Sequence, residues 1–148
     1  VIKEILEYNN FKNVEHDVKL SKNIIDISAD FENKKYIFEI KIYRNNYRNY
    51  EIIKRASLEL KNICRSLEKI TTNEKEILPI LILGSSLPKN EKEQLENLNN
   101  ISIWDLRNLL YLVDDNEILK QRLISLLDFS VSDIEIERTK NFNKKENK

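Results

Sequence analysis

The residues with the clearest potential for chemistry are an aspartate, Asp26, and a Glu-Ile-Lys triplet that begins thirteen residues later at Glu39. Apolar, β-branched and aromatic residues flank both, in segments 24–30 and 36–43, with a short polar turn between them. This pattern predicts the two strands of a hairpin. Charged side chains on such strands are rare unless they pair with each other or bind a metal.

The spacing predicts how these side chains meet. A turn centred on Asn33-Lys34 would place Asp26 opposite Lys41 and Ser28 opposite Glu39. Asp26 and Glu39 then become diagonal neighbours, roughly 7–8 Å apart at the backbone, so their carboxylates can converge. Two convergent carboxylates suit a small hard cation that keeps several waters, which is the usual preference of magnesium. The ammonium of Lys41 can stabilise a developing charge or orient a water.

Asp26, Glu39 and Lys41, each set in an apolar strand, resemble the motif of the PD-(D/E)xK nucleases, the restriction-endonuclease-like superfamily. The predicted order of helix, three strands, helix and strand also resembles the Mrr-like and Holliday-resolvase-like core of that family, over about residues 1 to 112. Two positions depart from the family pattern: Ile25 replaces its proline, and Asn10-Phe11 stands where Mrr-type relatives often carry Gly-aromatic. The resemblance implies an α/β fold in which helices flank a mixed β-sheet.

The resemblance also implies an activity, the hydrolysis of phosphodiester bonds, with DNA favoured as the substrate. Mg²⁺, for which Mn²⁺ can substitute, would be bound by Asp26, Glu39 and the backbone carbonyl of Ile40. Lys41 would orient the attacking water or stabilise the transition state. The sequence begins at Val1 without a methionine, and we expect the domain to be the effector of a longer defence or repair protein.

Two further acids are candidates for the same site. Glu4 resembles the first-helix acid that many relatives use as an additional metal ligand or support, although a solvated helix residue is the alternative. Asp30 would also lie diagonal to Glu39, but the family pattern favours Asp26, which lies deeper in the apolar run. His16, the single histidine, lies on the apolar face of the first strand, which predicts a core residue rather than a general base.

Other interpretations fit the same residues. Asp26 and Lys41 could form a plain cross-strand ion pair, with Glu39 as a solvated strand residue. A catalytically degenerate nuclease fold could serve as a nucleic-acid or protein docking module, and a helix-rich assembly domain would need no ligand. Metal-dependent cleavage that requires Lys41 separates the nuclease from these alternatives.

The charge pattern bears on nucleic-acid binding. The chain has 25 basic and 25 acidic residues, so its formal net charge is zero, which is unusual for a DNA-binding domain. Lys and Arg nevertheless predominate in residues 34–65, as contact with phosphates requires, although mixed charge that only keeps the domain soluble is the alternative. Basic and aromatic residues alternate in the polar loop before the longest helix, which predicts nucleic-acid contacts by Arg44, Tyr47 and Arg48.

The length of 148 residues predicts one domain: a core at 1–113, a C-terminal helical extension at 114–137, and a disordered tail at 138–148. A helix from Asp114 to Leu127 would have an apolar face without an obvious partner in the core, and we expect a weak homodimer through it. The chain has no apolar run of about 18 residues and no secretory signal, so a cytoplasmic protein is the default. Cys64 is the single cysteine, which excludes an internal disulfide.

Hydrophobic periodicity predicts the remaining elements. Apolar residues recur every three or four positions from Tyr50 to Ile70, which predicts the longest helix. Ile77 to Leu83 is a continuous apolar run, typical of a strand buried on both faces. A last strand follows at Ile101 to Trp104, and Asp105 is predicted to cap a helix that ends at Val113.

Overall fold

The computed structural model describes residues 1–20, 22–42, 50–70 and 76–127. The elements follow one another as α1 (Ile2–Tyr8), β1 (Lys12–Leu20), β2 (Asn23–Phe31), β3 (Lys34–Lys41), α2 (Tyr50–Ile70), β4 (Ile77–Leu83), α3 (Lys89–Asn99), β5 (Ser102–Trp104), α4 (Leu106–Leu112) and α5 (Glu117–Leu127). The predicted order of helix, three strands, helix and strand is confirmed.

The five strands form a single mixed sheet in the order β1-β2-β3-β4-β5. β1, β2 and β3 pair antiparallel, whereas β3, β4 and β5 pair parallel. β3, which carries Glu39, is therefore the central strand. The mixed sheet with helices on both faces confirms the predicted fold class and is consistent with a restriction-endonuclease-like fold. None of the helices in the described part of the chain is long and apolar enough to cross a membrane.

Side chains on the two faces of the sheet belong to two separate cores. The first core contains Phe38 and Ile82 and is covered by α1, α4 and α5. The second core contains Ile37 and Leu83 and is covered by α2 and α3. Because strand residues alternate, Glu39 lies on the face of the second core. Phe38, Ile40 and Ile42 all pack in or against the first core, so they lie on the opposite face of β3 from Glu39 and Lys41.

The turn between β2 and β3 lies one residue earlier than predicted. Phe31 pairs with Lys34, so the turn is Glu32-Asn33, and both of these residues have positive φ, at 50° and 64°. Two positive φ values define the type I′ turn that matches the twist of a hairpin, and asparagine tolerates that conformation better than lysine. The predicted register is therefore wrong by two residues: Ser28 lies opposite Ile37 and not opposite Glu39.

The last helix packs inside the domain. Leu119, Leu123 and Leu127 of α5 are buried in the first core, together with residues of α1. The expectation that this apolar face lacks an intradomain partner is wrong, and with it the argument for a homodimer through α5, although the homodimer itself remains a prediction. The helix begins at Glu117 rather than Asp114, because the side chain of Asn116 accepts the N–H of Leu119 at 3.1 Å and caps it. The proposed extension beyond 127 and the tail lie outside the described residues.

β1 is an edge strand with an irregular backbone. Asn13 and Asp17 have positive φ, and the register with β2 shifts between Lys12 and Glu15. Such irregularities blunt an edge against pairing with other chains. His16 is exposed on this strand, so its prediction as a core residue is wrong. Alternation alone could not reveal this, because it assumes a regular strand buried on one side.

Candidate active site

Asp26 lies where β2 separates from β3. The ladder between these strands runs from Phe31–Lys34 to Ile27–Phe38, and its next step would pair Asp26 with Glu39. Ile25 and Ile27 are two residues apart, yet they belong to the second and first cores respectively, on opposite faces of the sheet. A regular strand would put both on one face, so the alternation of side chains in β2 is interrupted at Asp26. The aspartate is thus positioned at a break in the sheet.

The side chain of Asp26 fills the place of the missing strand bond. Its Oδ2 accepts the backbone N–H of Ile40 at 2.7 Å. The backbone N–H groups of alternate residues in β3 point to opposite neighbours. Lys35, an odd-numbered residue, donates its N–H to Glu76 O at 2.9 Å on the β4 side, whereas the N–H of the even-numbered Ile40 points toward β2. Because the N–H and C=O of a strand residue point to the same side, the Ile40 carbonyl is also directed toward Asp26. The break therefore collects a carboxylate and a backbone carbonyl.

Glu39 contributes a second carboxylate to this break. The residue is partly buried, and its Oε1 has no hydrogen-bond partner among the described residues. Its pKa is raised from 4.5 to about 7, first by burial and then by the negative charge of Asp26. A hydrogen bond between the two carboxyl groups raises the pKa further. Burying the Oε1 atom without a partner costs free energy, so this site favours a proton or a cation.

Lys41 lies two residues beyond Glu39 on the same strand and face, beside Leu83 of β4. Its positive charge lowers the pKa of Glu39 and so opposes part of the shift caused by burial. The prediction that Lys41 lies opposite Asp26 is wrong, because of the shifted register. The structure nevertheless brings Asp26, Glu39 and Lys41 together at one break in the sheet.

The donor set fits one class of metal ion. Within the described ranges, no group of three or more His, Cys, Asp or Glu side chains is arranged to hold a metal. The protein donors at the break are two carboxylates and the Ile40 carbonyl. Mg²⁺ characteristically takes one or two carboxylates and completes its shell with waters and substrate phosphates, whereas structural zinc requires four protein ligands. The arrangement therefore fits magnesium or manganese.

The other candidates from the sequence lie apart from this group. Glu4 forms an ion pair with Arg122 of α5, so its carboxylate ties α1 to α5. Asp30 accepts a hydrogen bond from Asn13 at 2.9 Å and lies opposite Lys35, not diagonal to Glu39.

Asp30 is four residues from Asp26, roughly 13 Å along the strand. The three predicted nucleic-acid contacts, Arg44, Tyr47 and Arg48, lie outside the described residues.

A second charged group was missed by sequence reasoning. Asp105 caps α4 as predicted, but it also contacts the cations of Lys92 on α3 and Arg107 on α4. The sequence places an aspartate two residues before an arginine, which signals only a helix start. Nothing in the spacing connects Lys92 with them, because the intervening chain includes a strand.

Comparisons with known proteins support the fold. No family model matches the chain, and no curated protein matches it. Among solved structures, the protein of unknown function AF1548 is 13% identical with a TM-score of 0.53, over 74% of this chain and 61% of that one. Protein VC1899 from Vibrio cholerae is 15% identical with a TM-score of 0.47, over 75% and 29%. The small subunit of the heterodimeric restriction endonuclease R.BspD6I is 15% identical with a TM-score of 0.45, over 96% and 86%.

The chain spans less than two thirds of the length of the first two of these structures. At 13% identity, the likeness to AF1548 shows a shared fold and carries no information about activity.

The raised pKa of Glu39 predicts how pH affects stability. The folded state binds the Glu39 proton more tightly than the unfolded state does, so the proton stabilises the fold below pH 4.5, and this contribution is lost as pH rises toward 7. After allowance for solvent screening of a partly buried group, we expect a loss of about 1–2 kcal/mol.

Urea unfolding in EDTA, at one pH below and one above this window, measures the difference for wild type and Glu39→Gln. The wild type should lose more stability than the variant. Equal losses in both proteins would show that Glu39 ionises as freely in the folded state as in the unfolded chain.

Proposed function

We propose that this domain is a metal-dependent nuclease that hydrolyses phosphodiester bonds, with DNA as its favoured substrate. One observation carries the proposal: Glu39 Oε1 is buried without a hydrogen-bond partner in the described structure, beside the carboxylate of Asp26. A protein that needed only a structural ion pair would satisfy this oxygen with the nearby Lys41. Two adjacent carboxylates and one unsatisfied oxygen suit a cation instead.

Asp26, Glu39 and the carbonyl of Ile40 would bind the ion, Mg²⁺ or Mn²⁺. Asp26 keeps its geometry through the bond that it accepts from the Ile40 N–H, which also fixes the direction of the Ile40 carbonyl. When bound, the ion would supply acidity to a water ligand and neutralise charge on the scissile phosphate.

Lys41 would act on the substrate rather than on the ion. Its ammonium lies on the same face as Glu39 at the end of β3, close enough to influence the Glu39 pKa. A fixed positive charge in that position can orient the attacking water and stabilise negative charge that develops on the phosphate oxygens. The partly buried setting strengthens this effect relative to bulk water.

The test is cleavage of labelled duplex DNA, single-stranded DNA and RNA with and without magnesium. We expect cleavage that requires the metal and that falls by about 10²–10³-fold in Lys41→Met, since removal of one charge-stabilising donor has effects of that size. Lys35→Met is the matched control. Lys35 lies on the same face of the same strand, about 20 Å away at the hairpin end, and its replacement should leave cleavage intact.

Two outcomes would contradict the nuclease. The first is a folded wild type that cleaves none of these substrates with magnesium or manganese. The second is cleavage that persists in Lys41→Met. If the inactive wild type still binds nucleic acid as tightly as a variant lacking Asp26, Glu39 and Lys41, the domain is a docking module instead.

A further inference from the structure

A second cationic group lies beside the candidate active site and is built around Asp105. This residue is fully buried, and its carboxylate accepts the backbone N–H groups of Leu87, Arg107 and Asn108 at 3.1–3.3 Å. It also contacts Arg107 Nη2 at 3.2 Å and Lys92 Nζ at 3.9 Å. Three N–H donors and one guanidinium already satisfy a single carboxylate. The second cation is therefore in excess, and the group carries a net positive charge.

Both cations reach the surface while their stems are held. The side chains of Lys92 and Arg107 are 18% and 22% exposed. Arg107 donates through one of its three nitrogens, Nη2, to both Asp105 and the Leu87 carbonyl. Lys92 donates to Asn108 Oδ1 at 2.5 Å. The two charges are thus preorganised, which reduces the entropy lost when they bind an anion.

The position of this group follows from the parallel strands. Ile40, Ile82 and Trp104 lie side by side in β3, β4 and β5. Lys41 and Asp105, each one residue further, therefore lie at the same end of the sheet, where the three parallel strands terminate. The two strands are two spacings apart, roughly 10 Å. Ile103 belongs to the second core, so by alternation Asp105 lies on the same face as Lys41.

A distance of about 10 Å along the helix axis of B-form DNA corresponds to about three nucleotides of one strand. The acid nearest to Lys92 on the inner side of α3 is Glu96, which lies one helical turn further from this end of the sheet. Its carboxylate accepts the N–H of Ile103 at 2.9 Å and is therefore directed at β5 rather than at the end of the sheet where Lys92 and Arg107 lie.

We propose that Lys92 and Arg107, held by Asp105, bind the backbone phosphates of the substrate strand a few nucleotides from the scissile bond. This proposal rests on the proposed nuclease function and assigns the direction in which the substrate crosses the sheet, from β3 toward β5. Lys92 and Arg107 are positioning residues: they hold the nucleic acid but do not touch the reacting phosphate. Their loss should weaken binding and raise KM, with little effect on kcat.

The test is the salt dependence of oligonucleotide binding in EDTA, read by fluorescence anisotropy. Each phosphate contact contributes about 0.9 to the slope of log K against log salt for duplex DNA and about 0.7 for single strands. Lys92→Gln should reduce the slope by that amount and weaken duplex binding about fivefold at roughly 0.15 M salt. Lys92→Arg keeps the charge and should restore the wild-type slope.

Lys69→Gln is the matched control, because Lys69 is exposed in the last turn of α2, near the opposite end of the strands, where β4 begins. It should bind as the wild type does. A Lys92→Gln protein with a lower melting temperature and an unchanged slope would show that Lys92 only neutralises Asp105. Arg107→Gln gives an independent reading of the same slope if Lys92→Gln does not fold.

The two proposals can fail separately. A wild type that cleaves DNA while Lys92→Gln binds with an identical slope overturns only the phosphate contact. A wild type that binds no nucleic acid at any salt concentration overturns both the contact and the nuclease function.

Discussion

Glu39→Gln should abolish metal-dependent cleavage, by at least about a thousandfold, or about 4 kcal/mol of transition-state stabilisation. Glutamine keeps the size and shape of the side chain but removes the negative charge that a divalent cation requires. Because the charge and not the shape is lost, the variant should fold as the wild type does and should bind oligonucleotides with similar affinity in EDTA. Single-turnover cleavage, measured beside anisotropy on the same protein, separates the two effects.

Asp30→Asn is the matched control for Glu39→Gln. It removes one carboxylate from the adjacent strand, at a residue that has the right chemistry but bonds to Asn13 far from the break. It should cleave at the wild-type rate. A double variant of Asp26 and Glu39 should be about as inactive as either single variant, because two ligands of one ion act as a unit and their effects do not add. If Asp30→Asn loses as much activity as Glu39→Gln, the site has been assigned to the wrong carboxylate.

The sequence predicted much of the architecture because its strongest signals were local. Apolar runs at 24–30 and 36–43 identified the two strands of the hairpin, and alternation placed Glu39 and Lys41 on one face of β3. The register depended on a turn, and two candidate centres differ by a single residue. Only the backbone shows that Glu32 and Asn33 take the positive φ values of a type I′ turn. That one-residue difference moves every cross-strand pair by two positions.

The break at Asp26 was beyond the reach of sequence reasoning for a different reason. Alternation assumes a regular strand, whereas β2 turns over between Ile25 and Ile27, so that these two residues enter opposite cores. No local residue type signals this distortion. The hydrogen bond from Ile40 N–H to Asp26, which positions the carboxylate, occurs at that distortion.

Tertiary packing also determined what the last helix does. An apolar face on residues 117–127 is compatible with either a dimer interface or an intradomain core. Leu123 is wholly buried in the first core, and the Glu4–Arg122 ion pair adds a link between α1 and α5. The choice depends on where the helix lies relative to α1, which is separated from it by more than a hundred residues, so the sequence pattern cannot make it.

Magnesium should stabilise the wild type but not Asp26→Asn. A ligand that binds only the folded state adds about 2.7 kcal/mol at a hundred times its Kd, which corresponds to a rise of about 10 °C in the melting temperature of a domain of this size. Asparagine is the better substitution here, because Asp26 accepts the Ile40 N–H. An amide oxygen can still accept that bond, whereas alanine would leave the N–H without a partner and lower stability for an unrelated reason.

A proton on Glu39 competes with the metal ion, so the effect of magnesium on stability should depend on pH. Because the Glu39 pKa is raised to about 7, protonated Glu39 should exclude the ion at low pH, and the magnesium effect should increase as pH rises through 7. Thermal unfolding with and without magnesium at several pH values tests both statements, with Asp30→Asn as the variant that should respond as the wild type does. Equal stabilisation of Asp26→Asn would place the ion elsewhere on the protein. If magnesium does not raise the melting temperature of the wild type at any pH, Asp26, Glu39 and Lys41 form a structural charge cluster and not a metal site.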